Sequence, residues 1–248
     1  MNIVLLGSGN VATHLKNVLL KKEGISIIQW YSRHFNEITS NDGISLTGKL
    51  ANIKQADLYL LAVSDDAIPA LSSQLPEGSF AAHTAGSVSI EALKNKGSKG
   101  IFYPLQSFSK KRTANFSEIP ICLEADTPEG LSLLKALGNV MHAPLHFIDS
   151  EQRLALHTAA VFANNFTNHL YRVAEDICLK NKVSFNLLKP LILETANKIN
   201  VLSPLEAQTG PAKRNDKTSF KKHLDFLDSK AHQELYATLT KAIQQNDE

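Results

Sequence analysis

A glycine-rich turn near the N-terminus has the spacing that a nucleotide phosphate needs. The segment GSGNVA, residues 7–12, follows a short apolar run and precedes a helical pattern. In this context G-x-G-x-x-G/A is typical of dinucleotide binding, because the first two glycines allow a tight turn and a close approach of the backbone to a pyrophosphate. The helix N-terminus adds free N–H groups. A plain strand-to-helix turn is the alternative. The predicted cofactor contacts are Gly7, Gly9, Asn10 and Val11.

The end of the next β-rich run indicates which dinucleotide binds. An NAD-binding chain usually has Asp or Glu there to bind the ribose 2′-hydroxyl. Here the residues are Tyr31-Ser32-Arg33-His34, with no acid. A guanidinium can donate two parallel hydrogen bonds to a 2′-phosphate. We therefore predict NADP as the cofactor, with NAD less favoured, and Ser32 and Arg33 as contacts. The alternative is that Arg33 is a solvated loop cation.

Six ordered stretches make the whole chain resemble a known family. They are GSGNVA at 7–12, LAVSDDAI at 61–68, HTAGSVS at 83–89, YPLQSF at 103–108, LHTAAVFANNFTNHLY at 156–171 and TGPAKRND at 209–216. The chain resembles Rossmann-like proteins with a C-terminal domain of unknown function, DUF2520. These are relatives of pyrroline-5-carboxylate reductase, prephenate dehydrogenase and the coenzyme F420-dependent NADP oxidoreductases. The resemblance implies a helical C-terminal domain like that of 6-phosphogluconate dehydrogenases, with the nicotinamide between the domains.

Several polar residues follow the predicted strands, where open α/β sheets bind their ligands. The predicted cofactor contacts in these loops are Val63, Ser64, Thr84 and Gly86. Ser87 is a candidate catalytic residue that would bind substrate, or else a helix N-cap. Asp65 and Asp66 resemble metal ligands, but adjacent carboxylates at a helix start are more typical of dipole partners. No metal site is therefore predicted.

The YPLQ segment resembles the His-Pro-Met segment of prephenate dehydrogenases. Tyr103 stands where those enzymes have a functional histidine, which argues against prephenate chemistry. Gln106 is predicted to bind substrate, with local loop hydrogen bonds as the alternative.

A long helical pattern, 150–180, carries the other candidate catalytic residues. His157, Val161, Asn164 and Asn168 share one face at α-helical spacing. We predict Asn165 and His157 as catalytic residues, in a cleft between the domains whose other wall is residues 84–87. The alternative is that the amides bind backbone at the domain interface.

The resemblance to 3-hydroxyacid dehydrogenases implies a lysine four residues before the catalytic asparagine. Ala160 and Val161 occupy the corresponding positions here. Proton delivery must then come from His157, His223, Tyr103 or water.

The loop 209–216 and the helix start after it are rich in cations. Residues 213–222 contain five cations and one acid. The planar guanidinium of Arg214 suits a carboxylate or phosphate, so Arg214 and His223 are predicted to bind substrate. A solvated helix start is the alternative.

The secondary structure predicted to position these residues changes near residue 149, from alternating strands and helices to helices alone. Strands are indicated at 2–6, 25–31, 57–63, 80–84, 100–103, 120–124 and 143–147, and helices at 11–22, 67–75, 89–96 and 128–139. This alternation predicts an α/β Rossmann NAD(P)-binding domain over 1–149, built from parallel βαβ units. Helical patterns at 150–180, 185–199, 202–207, 217–227 and 231–245 predict an all-α domain over 150–248, which supplies dimerisation and the substrate cleft.

Composition excludes several classes of protein. The net charge is only +2, which argues against a nucleic-acid partner. Two cysteines are too few for a disulfide framework. No signal peptide or membrane-spanning run is recognised, so a cytoplasmic location is expected. The apolar residues at 154–166 and 187–193 exceed what a small helical domain buries, so a homodimer is expected.

Together these features predict an NADP-dependent oxidoreductase acting on a small carboxylate-bearing imine, carbonyl or hydroxy metabolite. The alternative is a non-catalytic dinucleotide-binding sensor or assembly protein. A third hypothesis is that the small dinucleotide site binds another nucleotide.

Overall fold

The computed structural model describes residues 1–245, which divide into two compact units. The first unit is Met1–Asn164, and the second begins at Asn165. The predicted domain boundary at 149/150 coincides with the start of a long helix and stays a prediction. Within the described residues, no helix is both long enough and apolar enough to cross a membrane.

The first unit is built on a nine-stranded sheet of order β3-β4-β2-β1-β5-β6-β7-β8-β9. The strands are β1 (Asn2–Leu6), β2 (Ser26–Tyr31), β3 (Ile38–Thr39), β4 (Ser45–Thr47), β5 (Leu58–Leu61), β6 (Ala81–His83), β7 (Lys99–Pro104), β8 (Ile121–Ala125) and β9 (Leu145–Phe147). The central strands are apolar on both faces: Ile3 to Leu6 and Leu58 to Leu61 are all buried. Burial on both faces is expected for parallel strands covered by helices.

The helices of the first unit are α1 (Asn10–Leu19), α2 (Ile68–Ser72), α3 (Pro128–Val140) and α4 (Ser150–Ala160). Short 3-10 turns lie at Leu50–Asn52, Asp65–Ala67, Ile90–Ala92 and Phe116–Glu118. The helix predicted at 89–96 is wrong beyond its first turn. The chain is extended at Leu93, and the Asn95 side chain donates to the carbonyls of Ser79 and Ser98, which holds a turn instead.

Two other details of the sheet differ from the sequence prediction. β8 runs antiparallel to β7, because the segment joining them contains only a 3-10 turn, whereas a parallel crossover usually needs a helix. The strands β3 and β4 form an antiparallel pair that the sequence analysis missed. Their connection contains Asn41-Asp42-Gly43, and Asp-Gly is a strong hairpin signal.

The second unit is helical, as predicted. It contains α5 (Thr167–Lys180), a 3-10 turn at Phe185–Leu188, α6 (Lys189–Lys198), α7 (Pro204–Ala207), α8 (Lys217–Phe226) and α9 (Lys230–Gln245). Pro190 lies in the first turn of α6, where its missing N–H costs no intrahelical hydrogen bond. A π-helix, Val161–Phe166, connects α4 to α5 in the chain.

Candidate functional site

A groove of about 660 Å³ lies at the carboxyl ends of the central strands. The register places Leu6 beside Leu61, and Leu61 beside His83, so the loops after β1, β5 and β6 leave the sheet at one edge. The groove volume falls within the range of about 300–1,000 Å³ that is usual for small-molecule sites. All ten predicted cofactor contacts line it: Gly7, Gly9, Asn10, Val11, Ser32, Arg33, Val63, Ser64, Thr84 and Gly86.

The glycine turn closes one side of the groove, and its two glycines have different roles. Gly7 has a φ of +108°, and a Cβ there would overlap the backbone carbonyl of Ala62. Only glycine fits this position without strain. Trp30 fixes the turn, because its Nε1 donates to the Gly7 carbonyl at 2.5 Å. Around Gly9, no atom lies within 4 Å of the position of a Cβ. The backbone at Gly9 therefore faces open space.

The helix that follows the turn presents an uncapped N-terminus. Gly9 is the N-cap of α1, no side chain caps the helix, and its first turn contains no acid. Its first N–H groups are therefore free to bind an anion, as in other phosphate sites at helix N-termini. The Asn10 amide nitrogen donates to the Phe108 carbonyl at 2.9 Å, which joins the helix start to the loop after β7.

A cationic end of the groove lies at the end of β2. Arg33 and His34 are exposed there, and Ser32 is buried with its hydroxyl 2.9 Å from that of Ser8. In the described lining of the groove, Asp65 is the only acid, and its carboxylate accepts a hydrogen bond from Ser87 at 2.9 Å. The end of the groove near Arg33 thus suits an anionic group such as a 2′-phosphate.

The inner end of the groove is formed by Gly86, Tyr103 and His157. The Tyr103 hydroxyl lies 2.9 Å from Nδ1 of His157. A Cβ on Gly86 would overlap the His157 ring and lie 2.9 Å from Cζ of Tyr103. Glycine at this position therefore allows both side chains to reach the groove. Burial raises the pKa of Tyr103 to about 12, so the phenol is neutral at neutral pH.

The loop that carries Gly86 is held rigidly by a buried histidine. His83 Nδ1 accepts from the Ala85 N–H at 3.2 Å, and its Nε2 lies 3.3 Å from the Ser89 carbonyl. These two contacts fix the Nε2–H tautomer. Burial lowers the pKa of His83 to about 4, so the ring is neutral. Its role is to hold the loop in place beside the groove.

Comparison with known proteins assigns the family. The model of DUF2520, a domain of unknown function, matches residues 119–243. The chain belongs to the DUF2520 family. The resemblance seen in the sequence is thereby confirmed. No match was found among curated proteins.

Solved structures show the same fold over nearly the whole chain. A Bacteroides fragilis protein, provisionally named an NADP oxidoreductase, is 38% identical with a TM-score of 0.87, and the match covers 98% of each chain. A Thermotoga maritima protein is 23% identical with a TM-score of 0.73, covering 98% of this chain and 97% of the other. An imine reductase from Myxococcus stipitatus, in complex with NADP⁺, is 14% identical with a TM-score of 0.66, covering 99% and 92%. The last two similarities show the fold alone.

The remaining predicted site residues of this DUF2520 protein lie outside the groove lining. Ser87 is exposed and does not cap a helix; the N-cap of the following turn is Ser89. Gln106 accepts from the N–H of Ser107 at 2.7 Å, a local loop contact. In the second unit, Arg214 is exposed, and His223 Nδ1 lies 2.7 Å from the Tyr236 hydroxyl.

The helix that carries the predicted amides departs from α-helical geometry. Asn164 and Asn165 lie within the π-helix Val161–Phe166, and both are exposed. The α-helical spacing assumed for His157, Asn164 and Asn168 is not kept, because a π-helix widens the turn and shifts the phase of the residues after it. π-Helical turns occur frequently at functional sites. Asn165 stays a predicted catalytic residue.

A buried ion pair that the sequence did not signal fixes α4 to strand β8. Arg153 is fully buried, donates to Glu124 at 2.5 Å, and also donates to the Val88 carbonyl. Ser150 donates to the same carboxylate at 2.8 Å and accepts from the Ile90 N–H at 3.1 Å. His157 lies one helical turn after Arg153. The pair thus fixes the helix start that positions His157, although nothing in the sequence spacing signals it.

Proposed function

We propose that this DUF2520 protein is an NADP-dependent oxidoreductase acting on a small carboxylate-bearing imine, carbonyl or hydroxy metabolite. One observation carries the proposal: a single groove joins a dinucleotide-binding turn, a cationic end at Arg33 and a polar inner end at Tyr103 and His157. The 38% identical Bacteroides fragilis protein, provisionally named an NADP oxidoreductase, supports it.

The residues of the groove fit this cofactor. The open space at Gly9 and the uncapped start of α1 suit a pyrophosphate. Ser32 and Arg33 would hold the 2′-phosphate, and the loops containing Val63, Ser64, Thr84 and Gly86 would support the nicotinamide half. When bound, NADPH supplies a hydride ion, and the chain aligns it with the acceptor.

The substrate side of the site combines observed and predicted residues. His157 lines the inner end of the groove. Ser87 and Asn165 are proposed to polarise or orient the acceptor group. For the substrate carboxylate we propose Gln106, Arg214 and His223, among which the guanidinium of Arg214 is the best match for a carboxylate.

A non-catalytic dinucleotide-binding role is the second candidate. Ala160 and Val161 stand where the related dehydrogenases have a catalytic lysine. Substrate-dependent oxidation of NADPH separates the two roles.

We further propose that the protein is a homodimer that forms through its helical region. Leu187, Leu191 and Leu193 are each more than 60% exposed in the single chain. Apolar surface of this kind is characteristic of interfaces. A second copy of the chain is the occupant we propose.

Calorimetric titration of the wild type with NADPH and NADH tests the cofactor. We expect tighter binding of NADPH. The Arg33→Ala variant should lose NADPH affinity by about 10- to 100-fold, since a charged hydrogen bond contributes about 1.5–3 kcal/mol, while NADH affinity should not change. Arg172→Ala removes an exposed arginine outside the groove and serves as the control. Equal wild-type affinities would refute the preference for NADP, and binding of neither cofactor would refute the function.

A further inference from the structure

The inner end of the groove contains a tyrosine whose hydroxyl can donate a proton and receive another from the neighbouring histidine. Tyr103 and His157 both line the groove, and the phenol oxygen lies 2.9 Å from Nδ1 of His157. His157 is half-buried, whereas Tyr103 is 8% exposed. The phenol is thus shielded from bulk water, and its histidine partner is nearer to solvent. This is the arrangement of a proton donor with a route to solvent.

Three other polar side chains of the loops beside this end are already engaged. The Asp65 carboxylate accepts from Ser87, and the Thr84 hydroxyl donates to the Leu61 carbonyl at 3.4 Å. Both ring nitrogens of His83 contact the backbone of their own loop. Among these groups of residues 1–245, Tyr103 is the one whose hydrogen-bond partner is itself a proton carrier.

We propose that the Tyr103 hydroxyl is the proton donor of this site, with His157 as its relay, and that the group reduced is a carbonyl rather than an imine. This inference rests on the proposed function. It adds the acid and the acceptor class, neither of which that function specifies.

The proposed reduction transfers one hydride and one proton to the carbonyl group. The carbonyl carbon gains the hydride, with its two electrons, from bound NADPH, which is oxidised to NADP⁺. The carbonyl oxygen takes the proton of the Tyr103 O–H bond and becomes an alcohol. The phenol oxygen takes the proton of His157 Nδ1, and Nε2 of the same ring takes one from a solvent water, which is left as hydroxide. The reverse sequence oxidises the alcohol.

The acidity of the phenol selects the acceptor. An alkoxide is a stronger base than a phenolate, so even a weakly acidic buried phenol can protonate the oxygen as charge develops on it. An imine must instead be protonated before it accepts a hydride. A phenol has an ordinary pKa of about 10, so it is too weak an acid to supply that proton at neutral pH, and burial raises the pKa of Tyr103 further, to about 12. The tyrosine therefore matches carbonyl chemistry.

The first test needs no turnover. In protein labelled with ¹³C at tyrosine Cζ and saturated with NADP⁺, we expect oxamate, an unreactive analogue of a 2-oxo acid, to shift the Tyr103 resonance. L-Proline, which resembles the product of a cyclic imine, should leave it unchanged. The Tyr103→Phe spectrum assigns the resonance. A shift with proline alone, or with neither probe, would overturn the inference.

The second test uses the rate of NADPH oxidation with panels of 2-oxo acids, aldehydes and cyclic imine carboxylates. We expect carbonyl reduction that Tyr103→Phe lowers by about 100- to 10,000-fold, the usual range for a lost general acid, with NADP⁺ affinity unchanged. Tyr59→Phe is the matched control, because it removes another buried phenol, bonded to the Lys54 carbonyl outside the groove. Reduction of imines alone, or full activity in Tyr103→Phe, would overturn the inference. A wild type that does not bind NADP⁺ would instead overturn the proposed function.

Discussion

The two compact units of the chain differ in how completely they bury their apolar and charged side chains. In the first unit the apolar residues of the central strands are buried, and even a guanidinium, that of Arg153, is enclosed with its partners. In the described part of the second unit, from Asn165 to Gln245, no residue is buried. Large apolar side chains are exposed there instead, among them Leu187 and Val201, at 72% and 86%.

This difference indicates how each unit gains its stability. The first unit removes apolar surface from water within itself, which is the main favourable contribution to folding. Because its interior is closed, buried polar groups such as Arg153 and His83 need exact partners. The second unit leaves apolar surface in contact with water, so an additional covering surface would stabilise it. The proposed second copy of the chain would supply that cover.

The largest expected effect on stability comes from breaking the buried pair of the first unit. Arg153→Met leaves the Glu124 carboxylate without its cation, and loss of one partner of a buried pair usually costs about 3–5 kcal/mol. The control lies in the second unit. Lys198→Met removes an exposed partner of Glu194, 3.7 Å away, and should change the free energy of unfolding by less than about 0.5 kcal/mol. Urea unfolding compares the two variants, and similar losses in both would contradict the contrast between the units.

A smaller effect should appear as pH falls, again in the first unit. The unfolded chain protonates His83 below about 6.5, but the folded chain does so only at about 4. The unfolded state therefore binds more protons in this interval, and the free energy of unfolding should fall with pH and level off below it. At about 1.36 kcal/mol for each pKa unit, the loss is about 3 kcal/mol.

Urea unfolding between pH 7 and pH 4 measures this dependence. His83→Gln should flatten the curve and lower stability at neutral pH, because two backbone contacts change. His169→Gln, an exposed histidine of the second unit, should leave the slope unchanged. A wild-type slope that persists in His83→Gln would show that other groups cause it.

The smallest effect on the fold of the single chain is expected at the apolar surface of the second unit. Leu191 is 61% exposed, so Leu191→Glu should preserve the circular dichroism spectrum. By light scattering, the wild type should have about twice the chain mass of 27.2 kDa, and the variant the chain mass itself. Ile38→Glu, at an exposed apolar residue of the first unit, is the control. A wild type that is monomeric at micromolar concentration would refute the dimer.

The parts of this protein that sequence predicts well are those with local signals. The spacing of Gly7 and Gly9 after an apolar strand was enough to predict the turn, and all ten predicted cofactor contacts line one groove. The alternation of strand and helix up to residue 149, apart from the helix at 89–96 and the missed β3–β4 pair, and the purely helical pattern over 150–245 were also confirmed. Apolar periodicity and turn chemistry operate over a few residues, so they are visible without a structure.

The parts that sequence did not predict depend on contacts between distant residues. Arg153 and Glu124 are 29 positions apart, and Tyr103 meets His157 across 54 positions. The π-helix at Val161–Phe166 is equally hidden, because its residues also suit an α-helix, and packing rather than propensity selects between the two. The antiparallel direction of β8 was missed for the same kind of reason, since periodicity does not report strand direction.

The contact between Trp30 and the glycine turn gives the protein an intrinsic fluorescence probe of the groove. Trp30 is the single tryptophan of the chain, and its indole is bonded directly to the backbone that would receive a pyrophosphate. Its fluorescence therefore comes from one place in the molecule, beside the groove. Reduced nicotinamide absorbs light where tryptophan emits it, so energy transfer would quench this emission as the groove fills. Occupancy of the site can thus be followed in dilute, unlabelled protein before any substrate is known.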